Sequence, residues 1–167
     1  MESTPALVSD IVDSLRRMFQ VINEQSKKAE HETGLTGPQL WAIKVIAESA
    51  PIKVSDLARK MYLHPATVVG IIDRLETREL VERRRSKEDR RVVEIALTDN
   101  GREKVSKSPE VAQGLLVKGL EALSEQKLKN ISDGLEQLVE ILGAQEIPPQ
   151  LMLSCEVNLP QKNIKTE

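Results

Sequence analysis

The residues with the clearest chemical potential lie in one short basic window, residues 83–91, which reads RRRSKEDRR. Six of its nine residues are arginine or lysine and two are acidic, whereas the whole chain has a formal net charge of −2. Guanidinium groups bind phosphates and carboxylates through paired hydrogen bonds, so this concentration of charge suits an anionic partner. A charge run of this kind also occurs as a solvated surface segment, and composition alone leaves both interpretations open.

The overall composition is that of one domain with an aliphatic core. The chain has 167 residues, of which 40% are hydrophobic and 30% are charged. Its aromatic residues are only Phe19, Trp41 and Tyr62. A core built from Leu, Ile, Val and Ala favours helix packing over a β-sandwich, so we expect a mainly helical fold.

The sequence lacks the residue patterns that catalysis or metal binding requires. No Ser-His-Asp set, glycine-rich phosphate loop or paired-carboxylate motif occurs, and His31, His64 and Cys155 show no metal-ligand spacing. We therefore expect no enzyme activity, no cofactor and no metal site. A single cysteine cannot form an intrachain disulfide and fits a reducing compartment. Cys155 is either an oxidation sensor or an incidental residue.

The N-terminal segment does not resemble a signal peptide. The N-terminal segment is interrupted by Asp10 and Asp13 and has no basic region before them. No segment approaches the ~20 apolar residues that a membrane span needs. We expect a cytoplasmic protein with no membrane partner.

Apolar spacing predicts helices on both sides of a central region. Residues from Val8 to Ile22 recur at intervals of three and four, which is one stripe of a long helix ending near Gly34. Thr36 and Gln39 have the spacing of a capping box and predict that a second helix starts there. A last helix begins at Ser124 and ends near Gly143.

The centre of the chain predicts two short helices separated by a tight turn. The first runs from about Val54 to Met61, and the second begins at His64-Pro65. The spacing places the following residues on the inner face of the second helix: Val68, Ile71, Ile72 and Leu75. The remaining residues face outwards or flank that face: Ala66, Thr67, Val69, Gly70 and Arg74. Gly70 either makes this outer face shallow or relieves crowding against a neighbouring helix.

A change of period after Leu80 predicts a β-hairpin that carries the basic window. Val93, Ile95 and Leu97 alternate with Glu94 and Ala96, as in a half-buried strand. Its predicted partner is residues 81–84, so the cations lie at the end of one strand and in the loop. Because these cations directly follow a predicted helix-turn-helix, a binding role is favoured over a solvated segment without function.

Five motifs in this order resemble those of the MarR family of bacterial transcription regulators. They are Val54-Ser-Asp-Leu-Ala58, Thr67-Val-Val-Gly-Ile-Ile-Asp-Arg-Leu-Glu76, Leu80-Val-Glu-Arg83, Glu88-Asp-Arg-Arg91 and Leu97-Thr-Asp-Asn-Gly101. The resemblance covers roughly residues 7–143. It implies a homodimer of winged-helix lobes that binds pseudo-palindromic operator DNA. Such a protein is usually a repressor relieved by a small ligand or by oxidation.

The resemblance also implies a fold class and a division of the chain. The fold is expected to be mainly α with a small β-hairpin wing. Residues 1–34 form an N-terminal dimerisation helix, 35–101 the winged helix-turn-helix (recognition helix 65–77, wing 81–97) and 102–143 the C-terminal dimerisation helices. Beyond the resemblance, residues 144–167 have no clear apolar period and are expected to form an irregular tail. Glu79 stands where relatives often have glycine, so a positive φ is expected there.

Site residues follow by matching positions to the family's motifs. Those expected at the major groove are His64, Pro65, Ala66, Thr67, Val69, Gly70 and Arg74. Those expected at the minor groove or on phosphates are Arg83, Arg84, Arg85, Lys87, Arg90 and Arg91. Asp89 is expected to brace the wing. The small, apolar outer face predicts contacts with thymine methyls and readout of DNA shape.

Two points remain open at this stage. Trp41 lies where the family's effector pocket meets the second helix, and it is either a ligand contact or a core residue. The chain as a whole is either a DNA-binding regulator or a winged-helix protein-interaction module whose basic hairpin binds an acidic partner. The shallow outer face of the second short helix favours DNA, because such a face suits a groove.

Overall fold

The structure, a computed structural model, describes residues 3–86, 88–149 and 151. The elements, in chain order, are α1 (Thr4–Thr33), α2 (Gly37–Ser49), β1 (Ile52–Lys53), α3 (Val54–Lys60), α4 (Pro65–Thr77), β2 (Val81–Arg85), β3 (Val93–Leu97), α5 (Asp99–Ser106), α6 (Ala112–Glu121) and α7 (Glu125–Ile141). This mainly helical fold with a small antiparallel sheet confirms the predicted fold class. Cys155 and Lys87 lie outside the described residues.

The sheet has three strands in the order β1-β3-β2, and all neighbours are antiparallel. Strands β2 and β3 form the predicted hairpin, with Arg83 opposite Ile95. Ile52 of β1 pairs with the same Ile95 from the other side. The sequence did not predict β1, because two residues are too few to show the alternation that identifies a strand.

The core lies between α2, the two short helices and the sheet. Leu40, Ile43 and Ile46 of α2 are fully buried. The inner face of α4 is also fully buried, and it consists of the predicted Val68, Ile71, Ile72 and Leu75. Burying four aliphatic side chains of about 1.5–3 kcal/mol each anchors this helix and leaves its other face to solvent.

Local signals in the sequence determine where the helices begin and end. The Thr36 N–H donates to Gln39 Oε1 at 3.2 Å, which forms the Gln39 half of the predicted capping box. Gly34 ends α1 with a φ of 70°, a conformation that glycine adopts without steric cost. Thr98 Oγ1 accepts from the Gly101 N–H at 3.0 Å and caps α5. The predicted division at residue 101 falls inside α5, and this division stays a prediction.

The helices at the two ends of the chain pack only lightly on this core. Helix α7 contains no buried residue, and most of the predicted stripe on α1 is exposed, including Val8 and Phe19. None of the helices in the described ranges combines the length and the apolarity that a membrane span requires.

Candidate nucleic-acid interface

Helix α4 presents a shallow, solvent-accessible face opposite its buried stripe. His64 precedes the helix, and its Nδ1 accepts from the Ala66 N–H at 3.2 Å. Pro65 and Ala66 are exposed, Thr67 is half-buried and Val69 is 40% exposed. Helical position places these side chains around the outer half of the first two turns, as predicted from the sequence.

Gly70 contributes to this face by having no side chain, not by making room for a neighbour. A Cβ built at this position would meet no atom within 4 Å outside the helix's own backbone. The alternative that Gly70 relieves crowding against another helix is therefore wrong. Gly70 is half-buried, as is Arg74 one turn further along the helix.

The first wing arginine is joined to helix α4. Arg83 Nη2 donates to Asp73 Oδ1 at 2.5 Å, and Arg83 Nη1 donates to Glu76 Oε2. The hydrogen bond with Asp73, more than any other cause, raises the pKa of the Arg83 guanidinium above its ordinary value. Sequence reasoning placed Arg83 on phosphate and missed these two partners, which lie seven and ten residues earlier on a different element. Its contact with phosphate stays a prediction.

The other wing arginines lie at the surface. Arg84 pairs with Glu82 on its own strand. Arg85, Arg90 and Arg91 are exposed. Together these arginines form a cationic edge that extends from the end of β2 around the loop to the start of β3.

Asp89 closes the turn of the wing through hydrogen bonds. Its Oδ1 accepts from the Arg91 N–H at 2.9 Å, and its backbone carbonyl accepts from the Val92 N–H at the same distance. The Ser86 N–H donates to the Val92 carbonyl at 2.9 Å and completes the hairpin beyond the last strand pair. The Asp89 carboxylate therefore stabilises the loop by accepting a backbone hydrogen bond, and it is surrounded by cations.

Trp41 is a buried residue that also lines a cavity. Its indole lies beside Gly114 of α6, where a Cβ would come within 3.2 Å of Trp41 Cδ1. The cavity, of about 130 Å³, opens between α2 and α6. Two ion pairs cross the same junction: Lys44 Nζ to Glu110 Oε1 at 3.5 Å and Lys118 Nζ to Glu48 Oε1 at 3.2 Å. Trp41 is therefore a core residue whose position also allows it to contact a ligand in the cavity.

A larger open cavity, of about 760 Å³, lies behind the wing and was not predicted. It is lined by small residues at the end of α2, by β3 and α5, and by the cations Arg84, Arg85 and Arg102. Arg102 is anchored there, since its Nη1 donates to the Leu97 carbonyl at 2.9 Å. Within the described part of the chain, no group of three or more potential metal ligands lies close enough to hold an ion.

Comparison with known proteins identifies the family to which this geometry belongs. The family model described as MarR family matches residues 35–93, which run from the start of α2 to the start of β3. The HTH-type transcriptional repressor MdtR of Bacillus subtilis is 31% identical over 128 residues, which cover 77% of this chain and 83% of that protein. The chain belongs to the MarR family. As a MarR-family protein it is a DNA-binding transcription regulator and not an enzyme.

Solved structures share the fold of this chain. The YusO protein of Bacillus subtilis is 29% identical, with a TM-score of 0.53 over 83% of this chain and 99% of that one. Streptococcus pneumoniae FabT, solved in complex with DNA, gives a TM-score of 0.53 over 81% of this chain and 97% of that one. At 23% identity the likeness to FabT shows a shared fold alone.

Proposed function

We propose that this protein is a cytoplasmic, homodimeric repressor that binds a specific operator and is released by a small-molecule effector. The observation that carries the proposal is the position of a shallow, exposed helix face next to an arginine-rich wing. The inner face of α4 is fixed in the core, so its outer face is a rigid surface. The mainly exposed arginines of the hairpin flank that surface.

The outer face of α4 suits the major groove. Ala66 and Gly70 keep side-chain atoms short, so the helix backbone comes close to the base edges. Thr67 and Val69 offer methyl groups, which make apolar contacts with thymine. Arg74, one turn beyond Gly70, is half-buried and lies nearer the DNA backbone. This helix then selects sequence mainly through thymine methyls and DNA shape.

The wing supplies electrostatic attraction and a minor-groove contact. Arg90 and Arg91 lie at the turn that Asp89 closes, so a short backbone segment presents both guanidiniums. Arginine favours narrow minor grooves, where the negative potential is strongest. Arg84 and Arg85 lie on strand β2, before the turn, where they contact the phosphates of the bound DNA. Neutralising phosphates releases counterions, so affinity depends steeply on salt.

A second copy of the chain is the proposed partner of the terminal helices. Large apolar side chains on α7 are 36–47% exposed, namely Leu128, Ile131, Leu135 and Val139. Helix α1 exposes Leu7, Val8, Ile11 and Val12 in the same way, and α6 exposes Leu115 and Leu116. Monomers rarely leave apolar areas of this extent in water. Burying them between two copies places two winged-helix lobes side by side.

The effector site that we propose is the Trp41 cavity. It lies between α2, which belongs to the DNA-binding lobe, and α6, which leads into the proposed dimer. A ligand in this cavity changes the distance between α2 and α6 and so moves the recognition helices. Trp41 is the only tryptophan, so its fluorescence reports occupancy directly. An effector that releases DNA without changing Trp41 emission would place the site elsewhere.

The decisive experiment is selection of DNA by the purified protein from a randomised duplex pool. We expect enrichment of two inverted half-sites whose centres lie about one helical turn apart. Placing the recovered site upstream of a reporter should then lower transcription when the protein is present. Recovery of DNA without an enriched sequence, or of single half-sites bound by a monomer, would overturn the proposal.

A further inference from the structure

Hydrogen bonds join both ends of the recognition helix to the helices that lead into the proposed dimer. At the N-terminal end, the Tyr62 hydroxyl donates to Glu121 Oε1 at 2.9 Å. Tyr62 lies in the turn between α3 and α4, and Glu121 is the last residue of α6. The contact therefore spans 59 residues of sequence. It connects the turn before the recognition helix with the end of a terminal helix.

At the C-terminal end, Arg78 makes a corresponding contact. Arg78 directly follows α4, and its Nη1 donates to the Gly34 carbonyl. Gly34 is the residue that ends α1. Lys104 Nζ donates to the Thr33 carbonyl at 3.1 Å, so two cations meet the same helix end. Helix C-termini carry partial negative charge, and cations placed there are stabilising.

The backbone next to each of these side chains is held firmly. Tyr62 has a φ of 51°, a conformation that non-glycine residues rarely adopt, and its N–H donates to the Arg59 carbonyl at 3.2 Å. The next residue, Leu63, donates to the Ala58 carbonyl at 3.0 Å. The Arg78 N–H donates to the Arg74 carbonyl at 3.3 Å within the last turn of α4. A displacement of α1 or α6 is therefore passed to α4 and not absorbed by a loose loop.

We propose that Tyr62 and Arg78 are positioning residues that set the orientation of α4 relative to the dimer. They act through Glu121 and Gly34 and need not touch DNA. This inference rests on the proposed function, since it assumes a dimer that places two α4 helices on one operator. Its consequence is specific: these contacts fix the separation of the two recognition helices and hence the spacing of half-sites that the protein accepts.

The test compares the spacing preference of full-length variants on defined DNA. The probes are the duplex recovered by selection, the same duplex with one base pair inserted or removed between half-sites, and a single half-site. The variants are Tyr62→Phe, which removes only the hydroxyl, and Arg78→Gln. Lys107→Gln is the charge-matched control, because Lys107 directly follows α5 and pairs with Glu103 of that helix. Sedimentation checks that each variant is dimeric.

We expect the wild type and Lys107→Gln to prefer one spacing. Tyr62→Phe and Arg78→Gln should each lose about threefold in affinity for that spacing, the scale of one exposed hydrogen bond. Both should bind the altered spacings as well as the preferred one and keep wild-type affinity for the single half-site.

Three results would overturn the inference. An unchanged spacing profile would mean that the contacts do not orient the helix. An equal loss on the single half-site would make the two residues DNA contacts. A fall in dimer content would give them a role in assembly instead. If the wild-type protein itself shows no preference for paired half-sites, the proposed function fails first, and the two failures are thus distinguishable.

Discussion

Arg83 on strand β2 donates a hydrogen bond to Asp73 on helix α4 at 2.5 Å. Glu76, one turn further along the helix, accepts from the same guanidinium. One arginine thus connects the base of the wing to helix α4 through two carboxylates. Because the wing is a two-stranded extension, this contact fixes its angle to the helix.

Replacing Arg83 should loosen this connection. We expect Arg83→Met to lower the free energy of unfolding by about 0.5–1 kcal/mol, since the groups involved are substantially exposed and solvent screens the pair. Chemical denaturation measures the change. Arg84→Met is the matched control, because among the described residues Arg84 pairs with Glu82 of its own strand and not with α4. Equal losses in the two variants would show that the connection to α4 has no particular role.

Gly70 should tolerate a methyl group but not a long side chain in the DNA complex. Gly70→Ala should raise the free energy of unfolding by about 0.5–1 kcal/mol. Glycine is less favourable than alanine inside a helix, and no atom obstructs the new Cβ. Gly70→Leu should fold equally well but bind the selected operator at least about tenfold more weakly, as it fills the shallow face. Thermal unfolding and gel shifts measure the two effects. If Gly70→Leu bound the operator with full affinity, this face of α4 would not lie at the DNA interface.

Gly101 should be sensitive to the smallest substitution. A Cβ there would lie 2.0 Å from the Leu80 carbonyl oxygen, which is backbone and cannot move aside cheaply. Gly101→Ala should lower the free energy of unfolding by about 2–4 kcal/mol. Asn100→Ala, at an exposed position in the same helical turn, should change it little. Similar melting temperatures for the two variants would contradict this close approach.

The contact between Tyr62 and Glu121 predicts a raised pKa of the Tyr62 phenol, which a pH titration can measure. Hydrogen bonding to the Glu121 carboxylate, and then its negative charge, raise the pKa of the Tyr62 phenol above its ordinary value. The contact is therefore present at neutral pH and is lost as the pH rises through the raised pKa. Tyr62 is the only tyrosine, so the change in ultraviolet absorbance when a phenol becomes a phenolate reports its titration. Glu121→Gln should lower the pKa, and an unshifted pKa in the wild type would contradict the contact.

The sequence predicted the parts of the fold that depend on local patterns. The buried stripe of α4 follows from its spacing, and the end of α1 follows from Gly34. Glu79 adopts a φ of 56°, as the resemblance to the MarR family implied. For α4 and α1 the physical cause lies within a few residues of the feature.

The contacts that organise the site depend on tertiary structure, and the sequence did not predict them. Arg83 was expected on phosphate, whereas its position beside Asp73 depends on the angle between the hairpin and the helix. Strand β1 exists only because β3 lies beside it. The pairing of Tyr62 with Glu121 joins elements 59 residues apart, and no spacing rule relates them.

The most direct test of the DNA-binding account is the salt dependence of operator affinity in Arg90→Ala/Arg91→Ala. The comparison is with the wild type and with Lys27→Ala/Lys28→Ala, which removes the same charge from the exposed surface of α1. If the wing contacts DNA, affinity should fall about tenfold or more, and the slope of log K against log salt should decrease by about one to two. The α1 variant should match the wild type. Unchanged affinity and slope in the Arg90 and Arg91 variant would contradict the account.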